Sequence, residues 1–231
     1  MIQHPLNAEK DNTSPDTTVR KKSLNSPVAI LIFITIAALA AFSDLWTKHF
    51  VFEDILNTPG LTDRARLIVQ ERTTEDPEFY RSMNETRFLM KELELSERLC
   101  PKVKLTLSTN PGIVFGFDSI PSIVVNIVTA IMIACILCMF IFSPASDYWM
   151  HIALAIILGG AIGNLYDRLF SIVKLPVDGP MPITGHVRDF IDCSELGYNY
   201  IFNVADVWLV AGAAMIMLQW IYQSLTSKKA E

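Results

Sequence analysis

Long apolar runs alternate along the chain with polar segments that hold almost all of its charge. No Asp, Glu, Lys or Arg occurs in 23–43, 119–146, 148–166 or 207–227, stretches of 21, 28, 19 and 21 residues. An α-helix rises about 1.5 Å per residue, so about 20 residues cross a hydrocarbon core of roughly 30 Å. The pattern predicts an all-α membrane protein with four transmembrane helices, at 23–50, 119–143, 148–168 and 203–226. The third apolar run is the shortest and carries His151, Gly159, Gly160 and Gly163. Small residues at these spacings let lipid-buried helices approach closely.

The polar segments complete the organisation. Residues 1–22 lack apolar periodicity and are expected to form a disordered tail, as is the short stretch 227–231. The first span has a basic flank like a signal peptide but no small-residue cleavage site. It runs instead into Asp44, Trp46, Lys48 and His49, which predicts a retained anchor. Arg20, Lys21 and Lys22 before the first span, and Lys228 and Lys229 after the last, place both termini in the cytoplasm. Two segments, 51–118 and 169–202, then face the outside. Within the first, 61–70 and 85–99 read as helical, with Arg87, Lys91 and Glu94 at three- and four-residue spacings, and 103–107 as a strand. For 54–84 a mobile loop is the alternative to a folded cap.

Composition removes several classes of function. A net charge of -5 gives a nucleic-acid partner no electrostatic support. Four cysteines are too few for a disulfide scaffold; Cys135 and Cys138 sit in an apolar span and read as packing residues. Cys100 and Cys193, both outside, can form a disulfide joining the two outer segments. The four histidines are scattered without an H-E-x-x-H pair, so no zinc site or other metal is expected. The glycine run at 159–163 has no following Lys and is no phosphate loop, and no cofactor is expected.

The ionisable residues left over gather at span ends, all at one predicted depth. Asp44 and Lys48 end the first span, Asn164, Asp167 and Arg168 the third, and Asn203 and Asp206 begin the fourth, with Asp189 between. Each has a plain structural reading. Asp44 with Lys48 is a helix-end ion pair, Asp167 with Arg168 a bundle-locking salt bridge, and Asn203 a helix cap. Interfacial acids without an obvious basic partner also mark functional sites, which keeps Asp189 and Asp206 in view. Two carboxylates meeting at this depth would share a proton, because like charges about 3 Å apart cannot both ionise cheaply. The charged member could take a proton from water as it attacks a peptide carbonyl, and the protonated member could donate to that carbonyl and then to the leaving amine.

Four blocks in order resemble the bacterial lipoprotein signal peptidases, or signal peptidase II. They are Asp44-Leu45-Trp46-Thr47-Lys48, Asn110-Pro111-Gly112-Ile113-Val114-Phe115-Gly116, the run Gly159 through Arg168 followed by Val187-Arg188-Asp189-Phe190, and Phe202-Asn203-Val204-Ala205-Asp206. The resemblance spans nearly the whole chain. It implies an intramembrane aspartyl endopeptidase that cuts diacylglyceryl-modified prolipoproteins just before the lipidated cysteine. Asp189 and Asp206 match the catalytic pair. Asn110, Gly112, Asn164, Asp167, Arg168 and Asn203 match residues that line or support the site, and Asp44 and Lys48 the block that braces the first span. The family also implies a small extracytoplasmic β-cradle, here within 103–117 and parts of the outer segments, a lid helix, and a monomer. Its location is the bacterial inner membrane, with the site facing outward. The partners implied are prolipoprotein substrates, membrane lipids and globomycin-like inhibitors.

The chain departs from the family pattern in the length of 53–104, in a proline-rich insertion at 174–184, in Val114, and in Arg188, where a small or apolar residue is common. Arg188 is expected to turn outward to the lipid headgroups. The alternative function is a catalytically inactive relative acting as a membrane scaffold or binding protein. A transporter would need polar groups deep in the bilayer and a repeat, which the sequence lacks.

Overall fold

The structure, a computed structural model, describes residues 22–75, 85–112, 121–177 and 181–227. The predicted tails other than Lys22 and Ser227, together with 76–84, 113–120 and 178–180, lie outside the described residues. Among the described residues, four helices are long and apolar enough to cross a membrane: α1 (Pro27–Leu56), α4 (Ser122–Phe142), α5 (Tyr148–Phe170) and α6 (Val204–Ser227). The shorter helices α2 (Leu61–Glu75) and α3 (Glu85–Glu92) follow α1 among the described residues. The protein is an all-α membrane protein carrying small β-sheets at one end of its bundle.

Helix starts are set by local chemistry. Ser26 caps α1, its hydroxyl accepting the Ala29 N–H at 3.3 Å, with Pro27 at the first helical position. Asp147 caps α5 through the Met150 N–H at 3.2 Å, and both its oxygens also accept from Gln219 Nε2 of α6. The first chain turn is latched to the α4–α5 link. Ser23 donates its backbone N–H to the Ser143 carbonyl at 3.0 Å, and its hydroxyl lies 2.7 Å from His151 Nε2.

Helix α5 is the centre of the bundle and packs against α1, α4 and α6. Its glycines make that possible. A Cβ at Gly159 would lie 2.5 Å from Ala40 Cβ of α1, and one at Gly160 would lie 2.6 Å from the Ala205 carbonyl oxygen of α6. Cys135 and Cys138, read as packing residues of an apolar span, lie on α4 with both thiols free and exposed.

Strands β1 (Ser96–Cys100), β2 (Val103–Asn110), β5 (Val187–Asp192) and β6 (Ile201–Phe202) form an antiparallel sheet in that order; β3 (Ile172–Val173) pairs with β4 (Ile183–Thr184). Residues 96–99 were expected to continue a helix but form β1, because the chain turns at Glu94, whose φ of 48° is left-handed, and then pairs with β2. Residues 61–70, read as helical, lie within α2, and within 54–84, where a mobile loop was the alternative, 54–56 and 61–75 are helical.

A second hydrophobic core lies at this sheet end. Val51, Phe52 and Ile55 from the last turns of α1 pack with Leu61 and Ala65 of α2, Leu89 and Met90 of α3, Leu93, Leu95, Leu107 and Phe190. Helices α2 and α3 therefore share one core with the sheet.

The disulfide that Cys100 and Cys193 could have formed is not made; both thiols are free. The register gives the reason. Cys100 stands opposite Val103, and Lys104 opposite Asp192, so Cys100 and Cys193 flank β2 on its two sides. Two strand spacings amount to about 10 Å, beyond the roughly 7 Å over which two Cα atoms can be bridged.

Candidate active site

The site grows from the end of α1. Asp44 and Lys48, one turn apart, are fully buried, with Lys48 Nζ 2.7 Å from Asp44 Oδ2. Lys48 also donates to Asn164 Oδ1 at 2.9 Å and sits 3.2 Å from Asp167 Oδ2, both on α5. The helix-end pair is thus the hub of a buried network. Gly163 makes room for it, since any Cβ there would collide with the Asp44 carboxylate. The other Asp44 oxygen accepts the Ala205 N–H at 2.8 Å, which fixes the first turn of α6 against α1.

That first turn carries Asp206. Its Oδ1 accepts from Asn164 Nδ2 at 3.0 Å, and its Oδ2 from the Asn203 N–H at 3.2 Å. Asn203 is fully buried and does more than cap. Its Oδ1 accepts the Asp206 N–H at 3.1 Å, while its Nδ2 donates to Asp189 Oδ1 at 2.6 Å. One residue thus bonds both carboxylates, Asp189 through its side chain and Asp206 through its backbone N–H.

Asp189 lies on β5 opposite Ser108 and is 3% exposed. Burial, and then the nearby Asp206 carboxylate, push it up to about 7, against the lowering pull of its bonds to Asn203 and Asn110 and of the Lys48 charge. Asn110, at the end of β2, also accepts the Gly112 N–H at 2.8 Å. Gly112 is buried at a φ of 102°, and a Cβ there would press on Val125 of α4 at 3.0 Å. The turn that delivers Asn110 needs glycine for both reasons.

The expected pairing of Asp167 with Arg168 is not the one found. Asp167 is held by Lys48, by the Ser171 hydroxyl at 2.7 Å, and by Arg188. Arg188 contributes its backbone N–H at 2.9 Å to Oδ2, and Nε at 3.0 Å and Nη2 at 2.7 Å to Oδ1. The expectation that Arg188 turns out to the headgroups is overturned: its side chain is only 14% exposed and its guanidinium also lies 5.8 Å from the Phe52 ring centroid. Neighbouring residues on a strand point to opposite faces, so Arg188 faces away from Asp189. Arg168, freed from Asp167, is half-buried and electrostatically coupled to Asp189, Asp206 and Asp167.

All eight supporting positions expected from the sequence, Asn110, Gly112, Asn164, Asp167, Arg168, Asn203, Asp44 and Lys48, therefore gather around Asp189 and Asp206. Sequence reasoning missed Arg188, Ser171, Gly163 and the Ala205 N–H. Strand parity could have found Arg188; the others depend on helix contacts that no local pattern records.

Comparison with known proteins agrees with this architecture. The family model for signal peptidase (SPase) II matches residues 36–222. The lipoprotein signal peptidases of Staphylococcus aureus strains JH9, Newman and N315 are each 28% identical over 130 residues, covering 56% of this chain and 72% of the relative. Two solved structures of a bacterial membrane enzyme superpose with TM-scores of 0.55 at 24% identity. The superpositions cover 85% and 87% of this chain, and 89% and 96% of those chains. With four spans, one buried polar network and a family match over most of its length, the chain belongs to the signal peptidase II family.

Proposed function

We propose that this protein is an intramembrane aspartyl endopeptidase that removes signal peptides from diacylglyceryl-modified prolipoproteins, cutting just before the lipidated cysteine. The observation that carries the reading is that Asn203 bonds both carboxylates, Asp189 through its side chain and Asp206 through its backbone N–H. Asp206 stands in the first turn of a helix with an N–H donor on each carboxylate oxygen. It is the member that takes a proton from the attacking water. Asp189, the buried partner raised to about 7, carries the shared proton, donates it to the substrate carbonyl and then helps the amine depart. The titration belongs to the pair, so the two roles exchange as the proton moves.

The sheet end faces outward in this reading, both termini are cytoplasmic, and the protein works as a monomer in the bacterial inner membrane. The substrate's apolar helix lies in the lipid beside α4 to α6, its acyl chains hold the cysteine at the depth of the pair, and globomycin-like peptides compete for the same space. The test is cleavage of a diacylglyceryl-modified prolipoprotein by purified protein, compared with Asp189→Asn and Asp206→Asn. Each variant should lose about 10²-fold or more, the size of a lost general acid or base. Full activity in either variant would sink the two-acid mechanism. An inactive intact protein, beside a relative that cuts the same substrate, would favour a scaffold instead.

A further inference from the structure

We infer that Arg188 is a positioning residue for the reaction, acting on Asp206 through Asp167, Lys48 and Asn164. The inference rests on the two-acid reading above and adds a residue that the family pattern does not supply, since a small or apolar side chain is common there.

Charge balance is the first support. The buried network holds two acids besides the pair, Asp44 and Asp167, and among the described residues Lys48 is the cation that touches both. Arg188 supplies the second positive charge and makes the four-residue cluster neutral. A buried acid left unpaired is costly, so removing the guanidinium would force Asp167 to compete with Asp44 for Lys48.

Connectivity is the second support. From Arg188 a continuous path runs through Asp167 (2.7 Å), Lys48 (3.2 Å) and Asn164 (2.9 Å) to Asp206 (3.0 Å). A branch from Lys48 through Asp44 reaches the Ala205 N–H, one residue before Asp206. Both routes end on the first turn of α6. Two guanidinium nitrogens converge on Asp167 Oδ1 while the Arg188 backbone N–H holds Oδ2, which sets the carboxylate's angle in a way a single lysine ammonium cannot. Asp167 is held by Arg188, while Arg168 stays within electrostatic reach of Asp189 and Asp206.

The charges around Asp189 define the readout. Lys48 faces it from α1, Arg168 from α5, Asp206 from α6, and Asp167 with Arg188 stands behind the strand. Replacing Arg188 with valine adds one net negative charge to this surrounding. The experiment compares Arg188→Val and Arg188→Lys with intact protein for kcat, KM and the pH dependence of cleavage of a diacylglyceryl-modified prolipoprotein. The infrared carboxyl band that disappears in Asp189→Asn gives the titration midpoint even where turnover is lost.

For Arg188→Val the expected result is a fall in kcat of about tenfold, KM within about twofold, and a midpoint moved to higher pH, the response to an added like charge near the acid. Arg188→Lys should restore the midpoint, because the charge returns, while recovering only part of kcat. A midpoint and kcat unchanged in Arg188→Val would overturn the inference, as would a loss of thermal stability with neither parameter altered. Inactivity of the intact protein would count against the peptidase reading and leave the midpoint shift to decide the role of Arg188.

Discussion

At the scale of single residues, the site separates two acids by their surroundings. Asp189 is buried on a strand, while Asp206 is half-buried at a helix start with amide donors on both oxygens. A carboxyl raised to about 7 is protonated below that value and ionised above it. If its proton is needed for the carbonyl, kcat/KM should be level below neutrality and fall as pH rises through about 7. A pH profile with lipidated substrate checks this; activity still climbing at pH 8 to 9 would contradict it. Most of these residues were legible in the chain because interfacial Asp and Asn stand out against apolar spans. Arg188 was misjudged because a lone arginine beside a membrane usually extends toward water, and its buried acceptor lies 21 residues earlier.

At the scale of elements, periodicity and length located the four long helices, since a bilayer requires uninterrupted apolar runs. It failed where pairing decides the outcome. Residues 96–100 carry no inward-facing alternation, every one being exposed, and they become a strand because β2 offers its edge. Helices α2 and α3 are mostly polar, and their helical spacing could not say where they dock; a few apolar side chains seal them onto the last turns of α1. Leu93 is 1% exposed in that core and Leu67, on α2, is 66% exposed. Leu93→Ala should cost about 2–5 kcal/mol, seen as a lower unfolding midpoint in detergent, with Leu67→Ala within about 0.5 kcal/mol of the intact protein. Equal effects from the two would mean that the sheet-end core contributes little to stability.

At the scale of the whole molecule, the polar network, the sheets and the second core share one end of the bundle, and the chain's entry latch and the end of α6 lie at the other. Free, exposed Cys100 at the sheet end provides a direct test of orientation. In spheroplasts a membrane-impermeant maleimide should modify Cys100 from outside, and Cys100→Ser should lower the labelling. Labelling only after the membrane is broken would reverse the proposed topology. The sequence foresaw that end-to-end division through its charge distribution, but not that the sheet end would have an interior of its own.

That interior alters what α1 is. Thirty helical residues measure about 45 Å, against roughly 30 Å of hydrocarbon, so about 15 Å of the helix must stand clear of the lipid. Val51, Phe52 and Ile55 clothe this surplus, and Lys48 sits just below it. The helix is therefore a keel common to both halves. The headpiece cannot rock over the bundle as a hinged lid would without bending an unbroken shaft at the very turn that carries the lysine.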